Sequence, residues 1–208
     1  MDERLPREPE LADVDDAVSS GRARGLPWGL RAVACVAVVC VAVAVCVTRL
    51  ELVVPSWVRW RSVELSCDLD ADGSREELVL AGRRVRVNDE NGQPIYESDG
   101  AWRVSEALVA DVTRDGRDEL VMLLWRRGNY GNARPFWEDG IDLRMTQHVY
   151  VMGLVDGAMR PVWMGHELGA GLKVVRMEAT GDGLLKLVTT DGRTSTCAWD
   201  YFGFSLVE

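Results

Sequence analysis

The run from Ala32 to Thr48, AVACVAVVCVAVAVCVT, carries no charge, and nothing else in the chain restricts its fold as strongly. At about 1.5 Å per residue a helix of this run spans roughly 25 Å, slightly short of the ~30 Å hydrocarbon core of a bilayer. Trp28, Leu30 and Leu50 to Val54 extend it, with Arg31 and Arg49 placed to snorkel outward. Its many valines would suit a buried strand in water, but strands rarely exceed ~10 residues. In lipid a helix satisfies its own backbone, so residues 28–50 are expected to form one transmembrane helix.

Processing signals fit the run less well than an uncleaved anchor does. Residues 1–31 precede it, and its only small-x-small site, Ala42-Val43-Ala44, lies inside the apolar core. A lipoprotein cysteine needs a small residue before it at the end of the run. Cys46 follows Val45 and Cys40 follows Val39, while Cys35 follows Ala34 with almost no apolar segment ahead of it. Facing lipid, these cysteines act as small apolar side chains. Arg22, Arg24 and Arg31 before the segment balance Arg49, Arg59 and Arg61 after it, so charge does not orient the helix. Residues 1–27 carry seven acids and four arginines without apolar periodicity. They are expected to be a disordered tail, either a docking segment or an inert solvated one. Residues 51–56 form a linker.

Lys and Arg number 24 against 33 Asp and Glu, a net charge of -9. That balance argues against a nucleic-acid partner, since phosphate binding needs a basic face. With no CxxC and only His148 and His166, zinc-site spacing is absent too. Residues 57–208 instead contain an internal repeat. Its three copies are ELSCDLDADGSREELVLAG from Glu64, ALVADVTRDGRDELVMLLW from Ala107 and KVVRMEATGDGLLKLVTTDG from Lys173. Each has an alternating apolar stretch, an acidic loop with a glycine (Gly73, Gly116, Gly183) and a second apolar stretch. Carboxylates at alternate positions around a turning glycine can converge on a hard cation such as Ca²⁺. An EF-hand would need a bidentate Glu at position twelve, where Val79 stands, and helical flanks. The flanks Val63-Glu64-Leu65 and Leu78-Val79-Leu80 have strand character, so the loop joins two strands.

This D-x-D-x-D-G-x-x-E-E-L-V loop between strands resembles the FG-GAP or VCBS repeat of β-propeller proteins, the kind that form the integrin α-subunit head. The resemblance implies one four-stranded blade per repeat and an extracytoplasmic domain, which places the N-terminus in the cytoplasm. It implies Ca²⁺ at Asp68, Asp70, Asp72 and Glu76. It carries over less well to the second loop, where Asp111, Asp115 and Glu119 match but Thr113 departs. The third departs at Glu178, Thr180 and Lys186, and there a lysine ammonium can replace the ion. The alternative for all three is an Asp/Gly turn whose carboxylates cap backbone N–H groups.

The expected fold is therefore an all-β C-terminal domain of about three four-stranded blades, β-propeller-like, plus one N-terminal transmembrane helix. The strands of the first blade are expected at 60–66, 77–80, 84–88 and 94–98. Those of the second are expected at 102–110, 120–126, 148–154 and 161–164. Those of the third are expected at 172–177, 185–190, 194–199 and 204–207. Propellers typically have four or more blades. Three make an incomplete propeller, a compact variant or a half that pairs with another chain.

The segment between Arg126 and Gln147 interrupts the second repeat. Arg126, Arg127, Tyr130, Arg134, Phe136 and Trp137 combine cations with aromatics, as binding hot spots do. A partner site and a flap closing the core are the two readings of this insertion. His148 and His166 read as a core or edge residue and an exposed turn residue. Trp57, Trp60, Trp102, Trp125, Trp163 and Trp199 read mainly as packing residues. Cys67 and Cys197 are a candidate disulfide between first and last blade, or two free buried thiols. No nucleophile elbow, Walker loop or dinucleotide fingerprint is present, and the carboxylate pairs sit in turns. A non-enzymatic module binding a surface polymer or partner protein is the leading expectation. An accessory subunit of an envelope enzyme and an unrecognised hydrolase are the rivals.

Overall fold

A computed structural model of the chain describes residues 28–131, 134–138, 140–169 and 171–207, without the side chain of Arg31. The expected tail at 1–27 lies outside the described residues. Two compact units divide between Ala42 and Val43.

One helix, α1 (Trp28–Arg49), covers the uncharged run. Its 22 residues span about 33 Å, so by length and composition it can cross a membrane. Thr48 donates its hydroxyl to the Ala44 and Val45 carbonyls in the last turn.

Among the described residues after α1, the strands form three four-stranded antiparallel sheets. The first contains β1 (Val63–Cys67), β2 (Glu76–Ala81), β3 (Arg84–Asn88) and β4 (Pro94–Glu97). The second contains β5 (Arg103–Ala110), β6 (Glu119–Arg127), β7 (Met145–Val155) and β8 (Ala158–Met164). The third contains β9 (Val174–Ala179), β10 (Leu184–Thr189), β11 (Thr194–Asp200) and β12 (Gly203–Val207). Within each sheet the strands neighbour one another in chain order, so each is a meander. The three sheets match the three expected units, and every expected strand overlaps an observed one.

The second sheet lies between the other two and buries both faces. Leu120, Met122 and Leu124 of β6 join Leu78, Leu80, Val85 and Val87 of the first sheet in one core. Val121 and Leu123, the alternate residues of the same strand, join Val174, Met177, Leu185 and Leu187 of the third sheet in another. A strand buried on both faces reads as a continuous apolar run, as Leu120–Trp125 does. The outer sheets alternate instead. Burial along β2 runs Glu76 in, Glu77 out, Leu78 in, with Val79 half-buried on the outer side. The outward face of the first sheet holds Arg84 and Arg86 against Glu97, and that of the third holds Arg176 against Glu178.

Candidate functional site

The first acidic loop folds as a left-handed turn on Ala71 (φ 60°) and Gly73 (φ 91°). Asp68 Oδ2 accepts Gly73 N–H at 3.0 Å, and Glu76 Oε2 reaches back to Leu69 N–H at 2.8 Å. Asp68, Asp70 and Glu76 bring one oxygen each within 4.8 Å of one another. Oxygens held at about 2.4 Å from a common Ca²⁺ lie no further apart than that. Asp68 Oδ1 and Asp70 Oδ1 are buried and have no hydrogen-bond partner. Such orphaned acceptors are costly unless a cation or donor meets them. Asp72 stands outside the group, because its Oδ1 caps Ser74 N–H at 2.7 Å. Burial pushes the Glu76 carboxyl above its ordinary range, partly offset by the Leu69 N–H, and Asp70 adds to the rise.

The second loop repeats this turn on Arg114 (φ 63°) and Gly116 (φ 90°). Asp111, Asp115 and Glu119 also converge, but their oxygens are already engaged. Glu119 accepts Val112 N–H, Thr113 N–H and the Thr113 hydroxyl. Asp115 Oδ2 meets the Arg117 guanidinium at 2.7 Å, which holds its carboxyl below the usual range. The Arg117 guanidinium thus already neutralises Asp115. The third loop is shorter in pairing: Thr180 N–H donates to Leu184 O and Gly183 N–H to Thr180 O, a tight turn. Lys186 pairs in register with Glu178 on the sheet.

These loops gather at one end of the stacked sheets. Leu69 of the first and Thr113, Asp115 and Arg117 of the second line one cavity of about 310 Å³, together with Trp199. A Cβ on Gly183 of the third would meet the Arg114 side chain at 2.9 Å. The β11–β12 hairpin turns at the same end, since β11 runs back toward the third loop. Its tip, Tyr201-Phe202, is 98% and 92% exposed, while Asp200 Oδ1 accepts Phe202 N–H at 2.9 Å. Two consecutive aromatics between an Asp and a Gly in a hairpin turn are the sequence signal that marks this exposed pair.

The insertion leaves from the opposite end of β6. Arg126 is half-buried and donates to Tyr150 Oη at 2.7 Å, so it serves the core. Arg127 donates to Leu143 O at 2.6 Å, and Arg134 donates to Gly140 O, closing the segment on itself. Tyr130 meets His166 edge to face at 5.6 Å, and His166 Nδ1 accepts Gly131 N–H at 3.2 Å. Phe136 and Trp137 meet edge to face at 4.8 Å and stay 91% and 68% exposed. They do not close the core, so the flap reading is replaced by a projecting loop. His148 is wholly buried, with Nδ1 2.9 Å from Gly165 O and Nε2 2.8 Å from Thr146 Oγ1. Burial holds its pKa below the ordinary value, and it packs as a core histidine.

Cys67 and Cys197, the candidate disulfide, are both free. Cys67 lies in the core between first and second sheets and Cys197 in the core between second and third, so the middle sheet separates them. Burial, with Glu76 nearby, raises the Cys67 thiol to about 11, which keeps it protonated and inert.

No family model matches the chain, and no curated protein or solved structure matches it either.

Proposed function

We propose that this chain is a membrane-anchored, extracytoplasmic β-module of FG-GAP/VCBS type that binds a surface polymer or partner protein, with Ca²⁺ stabilising its first acidic loop. The observation that carries the reading is the polarity of the β-structure. One end is tied to the linker after α1, and the other, about 30 Å away along the nine-residue β6, offers acidic loops beside bare Tyr201 and Phe202. Exposed aromatics on a rigid scaffold are where binding energy concentrates. The three-sheet meander is what three blades of such repeats would form, and the charged outer faces let the stack end without a fourth. Asp68, Asp70 and Glu76 suit a hard cation, with backbone carbonyls and water completing its shell.

The test of binding uses the full chain in nanodiscs against isolated envelope polymer and against membrane extract. Capture that falls at least tenfold on Tyr201→Ser/Phe202→Ser supports the reading, a loss of about 1.4 kcal/mol or more. Undiminished capture by that variant, or none by either chain, removes it. For calcium, saturation at a hundredfold excess over Kd adds about 2.7 kcal/mol. The melting temperature should rise in millimolar Ca²⁺ for the native chain and not for Asp70→Asn. An absent rise in the native chain removes the metal.

A further inference from the structure

The end of the domain that faces away from the acidic loops has its own exposed apolar group, and the chain path says what lies beside it. Glu51, two residues beyond the end of α1, accepts Met145 N–H at 2.7 Å and pairs through its carboxylate with Arg144 at 3.7 Å. Met145 and Arg144 form the returning arm of the insertion, and Gly128 N–H on the outgoing arm donates to Arg144 O at 3.0 Å. Two residues of chain reach at most about 7 Å. The base of the insertion is therefore tied, through Glu51, to the chain just past the last turn of the apolar helix.

From this base the loop carries Phe136, Trp137 and Ile141, the last 82% exposed, on a tip that no other element covers among the described residues. Val53 on the linker is also exposed. Arg134, bonded to Gly140 O, links the two flanks of the aromatic pair. Arg127 lies exposed at its root. Aromatic side chains with nearby arginines are the composition of the bilayer interface, where rings sit among headgroups and guanidinium groups meet lipid phosphates.

We propose that Phe136, Trp137 and Ile141 form a second membrane contact, dipping into the headgroup–acyl boundary of the bilayer that α1 crosses. The proposal rests on the anchor reading above and narrows the role of the insertion, leaving the Tyr201-Phe202 end for the surface partner. A single helix lets a domain swivel about its linker. A loop contact gives the domain a second hold on the same bilayer.

The test places the photo-crosslinker p-benzoylphenylalanine at Val41, Phe136 or Tyr201 of the full chain, in nanodiscs of phosphatidylcholine and phosphatidylglycerol and in membranes of the expressing cells. All three positions are exposed. Lipid adducts at 41 and 136, with about tenfold less at 201, are expected. Adducts at 41 but not 136 overturn the loop contact and leave the anchor. No adduct at 41 overturns the anchor and the contact with it. Equal adducts at 136 and 201 mean adsorption of any exposed ring and overturn the proposal, as does a protein adduct at 136 in place of lipid.

Discussion

Glu106 sits on β5 with its side chain almost sealed from water, and its Oε2 accepts Met177 N–H at 2.6 Å across the gap between second and third sheets. Arg61 approaches its other oxygen at 3.4 Å. Burial nevertheless raises its carboxyl above the ordinary 4.5. The native state thus holds this proton more tightly than the unfolded chain. The stability this gives is full below about pH 4.5 and is lost as pH rises through the folded value. Glu106→Gln keeps an acceptor for Met177 but cannot ionise. Its stability relative to the native chain is expected to grow as pH rises through that window, read by denaturant titration at several pH values; a constant difference would contradict the assignment. Glu106→Ala leaves Met177 N–H unmet and should cost about 1.5–3 kcal/mol. Gly203 is a second sensitive position, at φ +134° with the Trp163 indole where a Cβ would stand, 2.5 Å from its Nε1. Gly203→Ala should cost about 1–3 kcal/mol, read as a lower melting temperature, because strain and clash coincide there. Neither residue stands out in the sequence. Glu106 occupies a strand position like any other, and its partner lies 71 residues away.

At the scale of elements, local pattern and observed structure agree where hydrophobic period is the dominant force. Leu78 and Leu80 alternate with Glu77 and Val79, and β2 buries one face. The unbroken Leu120–Trp125 run is β6, buried on both. Leu123→Ala should therefore cost about 2–5 kcal/mol by opening the core toward the third sheet. Val79→Thr, on the outer face of the first sheet, should stay within about 0.5 kcal/mol. Equilibrium unfolding of both variants checks the contrast, and equal costs would contradict the burial of β6 on two sides. The acidic loops were legible as turns joining strands. Their differences were less so: Asp72 matches the metal pattern by spacing yet caps Ser74, and Arg117 occupies Asp115 in the second loop. Spacing places a carboxylate near a centre, but competing hydrogen bonds decide which way it turns.

For the molecule as a whole, the shared middle sheet predicts cooperativity. Since β6 and β7 contribute to both cores, the three sheets should melt in one calorimetric transition, with equal van't Hoff and calorimetric enthalpies. Two separated transitions would mean that the cores are independent. The sequence by itself determined a helix over 28–50, one residue longer than α1, three repeat units and their twelve strands, because run length and hydrophobic alternation are local properties. The insertion's composition was visible too. Only tertiary structure decided that its aromatics project rather than close the core, that its base is fastened to Glu51, and that Tyr201 and Phe202 share an end with the acidic loops. It also decided that Cys67 and Cys197 fall on opposite sides of the middle sheet. Those facts depend on which sheet faces meet and where distant loops arrive, and such long-range packing leaves no period in the chain for a sequence to show.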